Sequence, residues 1–300
     1  ISDLFYETTT AILSNKLRSG LTILGIVIGI GSVIAMISIG TGSKSSIESR
    51  LQSMGTNVIY VTPGMQKNFS PVSQGRGTAQ SLTINDVKAI QNEIPNVVSV
   101  SPIVTRNFQI VSKSQNTNTR VIGVYSTYQS IENIELETGA FFTENDLNEN
   151  AKVAILGSLT RDDLFGEGSD PVGSTIKING VIFKVIGVME SKGGALSLVD
   201  DQILIPYTTA QRYLTGINKY VASIFIQAEN EKVIDSVKDN IENLLLQRHN
   251  ISDASMADFT IVTQKDILDM ASSITDTLTI LLASIAGISL LVGGIGIMNM

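Results

Sequence analysis

The chain has 300 residues, 43% hydrophobic and 16% charged, with a net charge of −7. An acidic balance excludes a nucleic-acid surface, which needs a basic face. With no cysteine and one histidine, disulfides, thiolate metal sites, cysteine nucleophiles and histidine metal clusters are excluded as well.

Residues 1–17 read as an amphipathic helix on the cytoplasmic face of a membrane, with Leu4, Phe5, Thr8, Ala11 and Ile12 on one side. Ser19 to Ser43 then carry no charge, and neither do Thr277 to Met300. Twenty such residues rise about 30 Å as a helix, the thickness of a hydrocarbon core. Transmembrane helices are therefore expected over 18–42 and 277–300. Removing them returns the rest of the chain to a nearly ordinary charge content of about 20%. The first run is too long for a signal-peptide core and has no A-x-A site after it. Lys16 and Arg18 place the N-terminus in the cytoplasm, so residues 41–276 are extracytoplasmic. Small residues mark helix-packing faces: Gly25 and Gly29 in the first span, Gly287, Gly293 and Gly294 in the second. Two spans make a poor bundle, so other helices or a second subunit should meet these faces.

Beyond the first span, Ile47, Leu51 and Met54 keep helical spacing up to Gly55, which predicts a stalk helix over 43–56. Strand signals follow at Asn57 to Thr62, then a polar loop from Pro63 to Gln80. Thr83-Ile84-Asn85-Asp86 is a capping box opening a helix with Val87, Ile90 and Ile94 inward. Strands are predicted near Val97–Ser112 and Arg120–Tyr125. Phe141 to Phe165 reads as acidic and irregular apart from a strand at Lys152–Leu156, and Asp162-Asp163 and Asp200-Asp201 as loop carboxylates. No EF-hand pattern accompanies them. Thr175 to Val185 alternates about Asn179-Gly180, a type I′ hairpin. Strands at Gln202–Pro206, Val221–Gln227 and Phe259–Val262 and a helix over Glu231–Gln247 complete the outer region. The pattern β-α-β occurs twice, over 57–128 and 219–263, around a β-rich insert over 129–218. Thr263-Gln264-Lys265-Asp266 opens a second stalk over 264–276, with Ile267, Ala271 and Ile274 on its apolar side. The fold class is a membrane protein with transmembrane α-helices and an α+β extracytoplasmic domain.

No catalytic, cofactor-binding or metal site is expected. His249 follows Arg248 at a helix end, where a cation complements the dipole. No G-x-x-x-x-G-K-[ST] phosphate loop is present, so nucleotide energy would be used on another chain or domain.

Several segments resemble MacB/FtsX-type ABC transporter permeases. They include Asn15-Lys16-Leu17-Arg18-Ser19, Leu21 to Ile26, Met54-Gly55-Thr56-Asn57, Ala154-Ile155-Leu156-Gly157, Pro171-Val172-Gly173, Phe183 to Val188 and Ser289 to Asn299. The resemblance runs in order over nearly the whole chain. It implies four-span subunits that form a homodimer in the cytoplasmic (inner) membrane. Each carries an outer domain between spans one and two, with a porter-like α+β part and a sabre-like β-rich part. It also implies a cytoplasmic ABC ATPase that holds ATP and Mg, a membrane-fusion adaptor, and export by mechanotransmission through the stalks. Phe5 and Ile12 would lie near that ATPase. The sequence lacks spans three and four and a fused ATPase, so it reads as an incomplete permease. The alternatives are a two-span extracytoplasmic receptor and an FtsX-like activator of cell-wall hydrolases.

Overall fold

Two long helices flank ten strands in the chain order of the computed structural model, which describes residues 16–53, 57–64, 80–112, 115–193, 199–216 and 219–298. The first helix, α1, runs over Lys16–Ser53 without interruption. The outer region follows as β1 (Val58–Pro63), α2 (Ile84–Glu93), β2 (Val97–Ser112) and β3 (Gln115–Val124). Next come α3 (Tyr128–Ile131), β4 (Leu136–Gly139), α4 (Glu144–Asn148), β5 (Val153–Leu156) and α5 (Ser158–Phe165). After them stand β6 (Thr175–Ile178), β7 (Val181–Met189), β8 (Gln202–Pro206) and α6 (Tyr207–Ala210), the last extended by a π turn over Gln211–Thr215. The region closes with β9 (Ser223–Ala228), α7 (Ile234–Arg248) and β10 (Phe259–Thr263), and then α8 runs over Gln264–Met298. The chain divides into two units: residues 1–50 with 265–300, and residues 51–264.

Within the second unit, β10, β1, β9 and the first half of β2 form an antiparallel sheet in that order. With α2 between β1 and β2, and α7 between β9 and β10, this is a split β-α-β arrangement. Alternation decides its faces. Ile224, Ile226 and Ala228 of β9 point toward the helices, where Val87, Ile90, Val237, Ile241 and Leu245 meet them in one buried core. Phe225 points to the other face and stacks edge-on with Tyr60, at 4.7 Å between ring centroids.

β2 is long enough to serve two layers. From Val104 onward it pairs with β3, and at Ile110 and Val111 with β6. The pairings then continue through β8, β5 and β7, and β7 returns to β6. Six strands thus close into a ring, a small barrel with β4 added outside β7. Every strand of the ring sends side chains into one core: Ile110, Val121, Ile203, Leu156, Phe183 and Ile178 are all buried there. Asn179 and Gly180 both have positive φ (47° and 85°), as a type I′ turn requires, so the β6–β7 hairpin forms as its sequence predicts. A third core, with Ile103, Ile122, Tyr128, Phe142, Ile155 and Leu204, fills the seam between sheet and barrel. β8 serves both the barrel core and the seam and is buried along its whole length.

The structure corrects three expectations. The boundary of the insert falls inside β2, near Val104, and not at residue 129, because β3 pairs within the barrel. Phe141–Phe165 is more ordered than expected: the strand predicted at Lys152–Leu156 stands as β5, and the helices α4 and α5 flank it. Thr143 starts α4 through a capping box with Asp146, whose carboxylate accepts the Thr143 N–H at 2.7 Å. Asp162 and Asp163 accordingly lie on a helix and not in a loop. Among the described residues, six besides glycine have positive φ, and all are asparagine: Asn57, Asn96, Asn133, Asn150, Asn179 and Asn250.

Phe183 is fully buried inside the six-strand ring. Phe183→Ala should lower the unfolding free energy by about 3–5 kcal/mol, read as a fall in the thermal or urea midpoint of the chain in detergent.

Candidate functional site

The apolar helices come first. α1 holds a 20-residue stretch, Ile23–Gly42, long and apolar enough to cross a membrane, and α8 holds another over Gln264–Ser289. Only 6% of either stretch is buried within the chain, which distinguishes them from the core helices of a soluble fold. Ile280 and Leu291, for example, are about two-thirds exposed. Such side chains need an apolar surround, and lipid provides one.

The two helices meet along a narrow seam. A Cβ placed on Gly40 would lie 3.2 Å from Cγ2 of Thr275. At equal distances from that contact, toward the start of α1 and the end of α8, Gly29 and Ala286 are both buried, the register of an antiparallel pair. Gly25 is half-buried on the same side of α1. On α8 the residues turned inward are Ala271, Thr275, Thr279, Leu282, Ala286 and Ser289, at helical spacing. Small residues at these positions let two backbones approach.

The other predicted positions fall elsewhere. Gly287 and Gly294 are exposed and have open space where a Cβ would stand. Ile267 is half-buried and Ile274 is exposed. Ile47 and Leu51 lie within α1, and Gly293 within α8. Phe5, Ile12 and Met54 lie outside the described residues, as does most of the polar stretch after Pro63.

The strand pair β1–β10 joins these helices to the outer unit. Ile59 stands opposite Thr263, and the antiparallel register continues to Pro63 opposite Phe259. α1 precedes β1 closely in the chain, and α8 follows β10 without a gap. Both chain connections therefore attach to the same end of two hydrogen-bonded neighbours.

Two polar clusters sit inside the outer unit, and sequence reading placed neither. The first links α2 to α7. Asp86, buried in the first turn of α2, accepts hydrogen bonds from the Thr83 N–H at 2.8 Å and from Arg248 Nε at 2.7 Å. His249, which ends α7, has Nδ1 2.7 Å from Asp258 Oδ1 and Nε2 3.4 Å from Asp86 Oδ2. Burial opposes ionisation of Asp86, but the bonds from His249, Arg248 and Thr83 outweigh it and hold the carboxyl well below the usual range. The bond to Asp86, opposed by burial and reinforced by Asp258, raises His249 above its ordinary value. Both ring nitrogens face carboxylates, an arrangement that favours the protonated ring. The second cluster is Tyr60, Glu132 and Lys192, at the seam between sheet and barrel. Tyr60 Oη lies 3.4 Å from Glu132 Oε1, and Lys192 Nζ donates to the Glu132 carbonyl at 2.7 Å.

A membrane-anchored α+β domain, inserted between two apolar helices, is the class that these features define. The sequence profile of the MacB-like periplasmic core domain matches residues 19–244, and the chain belongs to that family. The likeness to MacB/FtsX-type permeases read from the sequence is thereby shown. Among curated relatives, the macrolide export ATP-binding/permease protein MacB of Bdellovibrio bacteriovorus is 40% identical over 95% of this chain, and that of Azoarcus sp. 38% identical over 100%. The chain spans 44% of the length of each. The periplasmic region of MacB from Actinobacillus actinomycetemcomitans superposes with a TM-score of 0.62 at 22% identity, covering 75% of this chain and 97% of that one. The extracellular domain of the noncanonic ABC-type transporter YknZ from Gram-positive bacteria gives 0.56 at 18% identity, covering 69% and 100%. These two solved structures share the fold of the outer domain.

Asp86→Asn should destabilise the chain by about 3 kcal/mol, because Arg248 then faces no charge and His249 keeps only Asp258. The pH profile checks the assignment. The contribution of Asp86 is present above its ordinary value of 3.8 and lost as pH falls through its lowered one. That of His249 is present below 6.5 and lost as pH rises through its raised value. Thermal midpoints measured across this range should show both limbs in the wild type; Asp86→Asn should lose the acid limb and weaken the His249 limb, which Asp258 still supports.

Proposed function

We propose that this chain is part of the permease subunit of a MacB-like ABC transporter, in which ATP hydrolysis by a partner ATPase moves the outer domain and so drives export. The observation that carries the reading is the β1–β10 pairing. Because the chain connections to both spans attach to neighbouring strands, a relative movement of the spans acts directly on one hydrogen-bonded ladder.

In this reading the protein is a homodimer in the cytoplasmic membrane, with residues 41–276 outside and Lys16 and Arg18 inside. Gly287 and Gly294, which face open space on α8, are proposed to meet other helices of the assembled permease. Residues 43–56 and 264–276 transmit motion, Ile47, Leu51, Met54, Ile267, Ala271 and Ile274 among them. The N-terminal segment with Phe5 and Ile12 lies against the ATPase, which holds ATP and Mg. A membrane-fusion adaptor receives the movement of the outer domain. The relatives are named for macrolide export, and this chain is proposed to serve extrusion of substrates by the same route. This chain itself performs no catalysis.

The test uses the full-length permease with its ATPase. Ile274→Cys is placed on the exposed side of α8 and cross-linked between two copies by oxidation. ATP-coupled export should fall by about tenfold or more on oxidation and return on reduction, equivalent to at least 1.4 kcal/mol of lost coupling. Unchanged export in the fully cross-linked protein would overturn mechanotransmission.

A further inference from the structure

Among the described residues, Glu132 is a buried carboxyl with fewer donors than a buried anion needs. It is 6% exposed and ends α3, at the place where β1 of the sheet meets the chain leaving β7 of the barrel. Among the described residues, its side chain makes one hydrogen bond, the long contact with Tyr60 Oη. An ionised carboxylate offers about four acceptor positions, and a buried one is normally filled by several donors. The nearby ammonium of Lys192 directs the bond described above to the Glu132 carbonyl. The backbone N–H of Lys192 is engaged at 3.0 Å with the Asp200 carboxylate, which also accepts from Ser191 Oγ at 3.0 Å.

The surroundings come from every element at the seam. β1 contributes Tyr60, whose ring stands edge-on to Phe225 of β9. α3 contributes Tyr128, itself buried, with Arg120 of β3 acting on it. The segment after β7 contributes Lys192, on which Asp200 and Glu135 also act. Burial is the largest influence on Glu132 and pushes its carboxyl up to about 7, against the opposing pull of Lys192 and Tyr60. A neutral acid suits this seam, and an anion does not. Deprotonation draws water to the carboxylate, and the Tyr60 side of the seam is the side that can part.

We propose that Glu132 is a proton-operated latch between the sheet and the barrel of the outer domain, closed when the carboxyl is protonated and loosened when it ionises. The direction follows from linkage. A carboxyl raised in the folded state contributes stability that is full below its ordinary value of 4.5 and is lost as pH rises through about 7. The latch belongs to the outer domain alone and does not depend on the transport reading.

Hydrogen exchange on the full chain in lipid nanodiscs, corrected for intrinsic rates, tests it from about pH 5.5 to 8.5. In the wild type, protection of residues 58–63 and 128–132 should fall about tenfold across this range. Glu132→Gln, a neutral isostere, should hold that protection constant. Tyr60→Phe removes a donor to the anion, so the midpoint of loosening should move to higher pH. Residues 84–93 and 234–248 report His249 separately and should keep their pH dependence in Glu132→Gln. A pH dependence at the seam that survives Glu132→Gln, or a wild-type seam indifferent to pH, would overturn the latch. An infrared titration of the wild type supplies a second readout that does not depend on the variants. A protonated carboxyl band lost near neutrality and absent from Glu132→Gln supports the proposal, and no such band at about pH 5.5 overturns it.

Discussion

The pairing of β1 with β10 is the constraint on which the rest depends. These strands lie about 200 residues apart in sequence, yet their Cα partners run in register from Ile59–Thr263 to Pro63–Phe259. Without that ladder the two apolar helices would be attached to separate pieces of chain. With it, the outer unit becomes an insertion whose entry and exit are neighbours. Everything between has to fold as a closed excursion, and the split β-α-β sheet is a compact way to return the chain beside its start.

The excursion is built in two stages joined by one strand. β2 leaves the sheet at Ile103 and enters the barrel at Val104, so the layers share a continuous backbone and not a flexible linker. The barrel removes the edge problem for its six strands, since each has a neighbour on both sides. The seam between the layers is filled from both directions, by Phe225 and Ile103 of the sheet and by Leu204 and Ile155 of the barrel. Among the described residues, Tyr60, Glu132 and Lys192 form an ionisable cluster at that boundary, where sensitivity to solution conditions is greatest.

Local chemistry was legible in the sequence, whereas long-range closure was not. The cap at Thr83 and Asp86 and the hairpin at Asn179-Gly180 depend on residues a few positions apart, and each appears where its pattern predicts. The charge-free runs were legible for the same reason, because a span is a property of composition within one window. The start of the barrel was missed because β3 has the pattern of a half-buried strand whichever sheet it joins. α4 was missed although Thr143 and Asp146 carry its signal, since a five-residue helix shows too little periodicity. The Asp86–His249 contact joins positions 163 residues apart, and Asp86 had already been given a sufficient local role as a cap. The intrachain seam of α8, which uses Thr275, Thr279 and Ala286, was not legible, because threonine and alanine carry no distinct packing signal within one span.

The asparagines at positive φ carry a consequence for the unfolded chain. Asn96, Asn133, Asn150 and Asn250 each stand just beyond a helix, where a left-handed residue is wanted and glycine is the commonest answer. Asparagine reaches the same backbone conformation but wanders less when the chain is loose. Each such choice spares the folding reaction an entropy loss of about 0.4–1 kcal/mol relative to glycine, provided the left-handed strain is small. Glycine serves at other left-handed corners, Gly166 after α5 and Gly180 in the hairpin among them, and also where bulk itself is the obstacle, as at Gly40 against Thr275 or Gly123 between Ala210 and Val104. At these four corners the outer domain uses a side chain, and its stability rests partly on disorder that the denatured state never had.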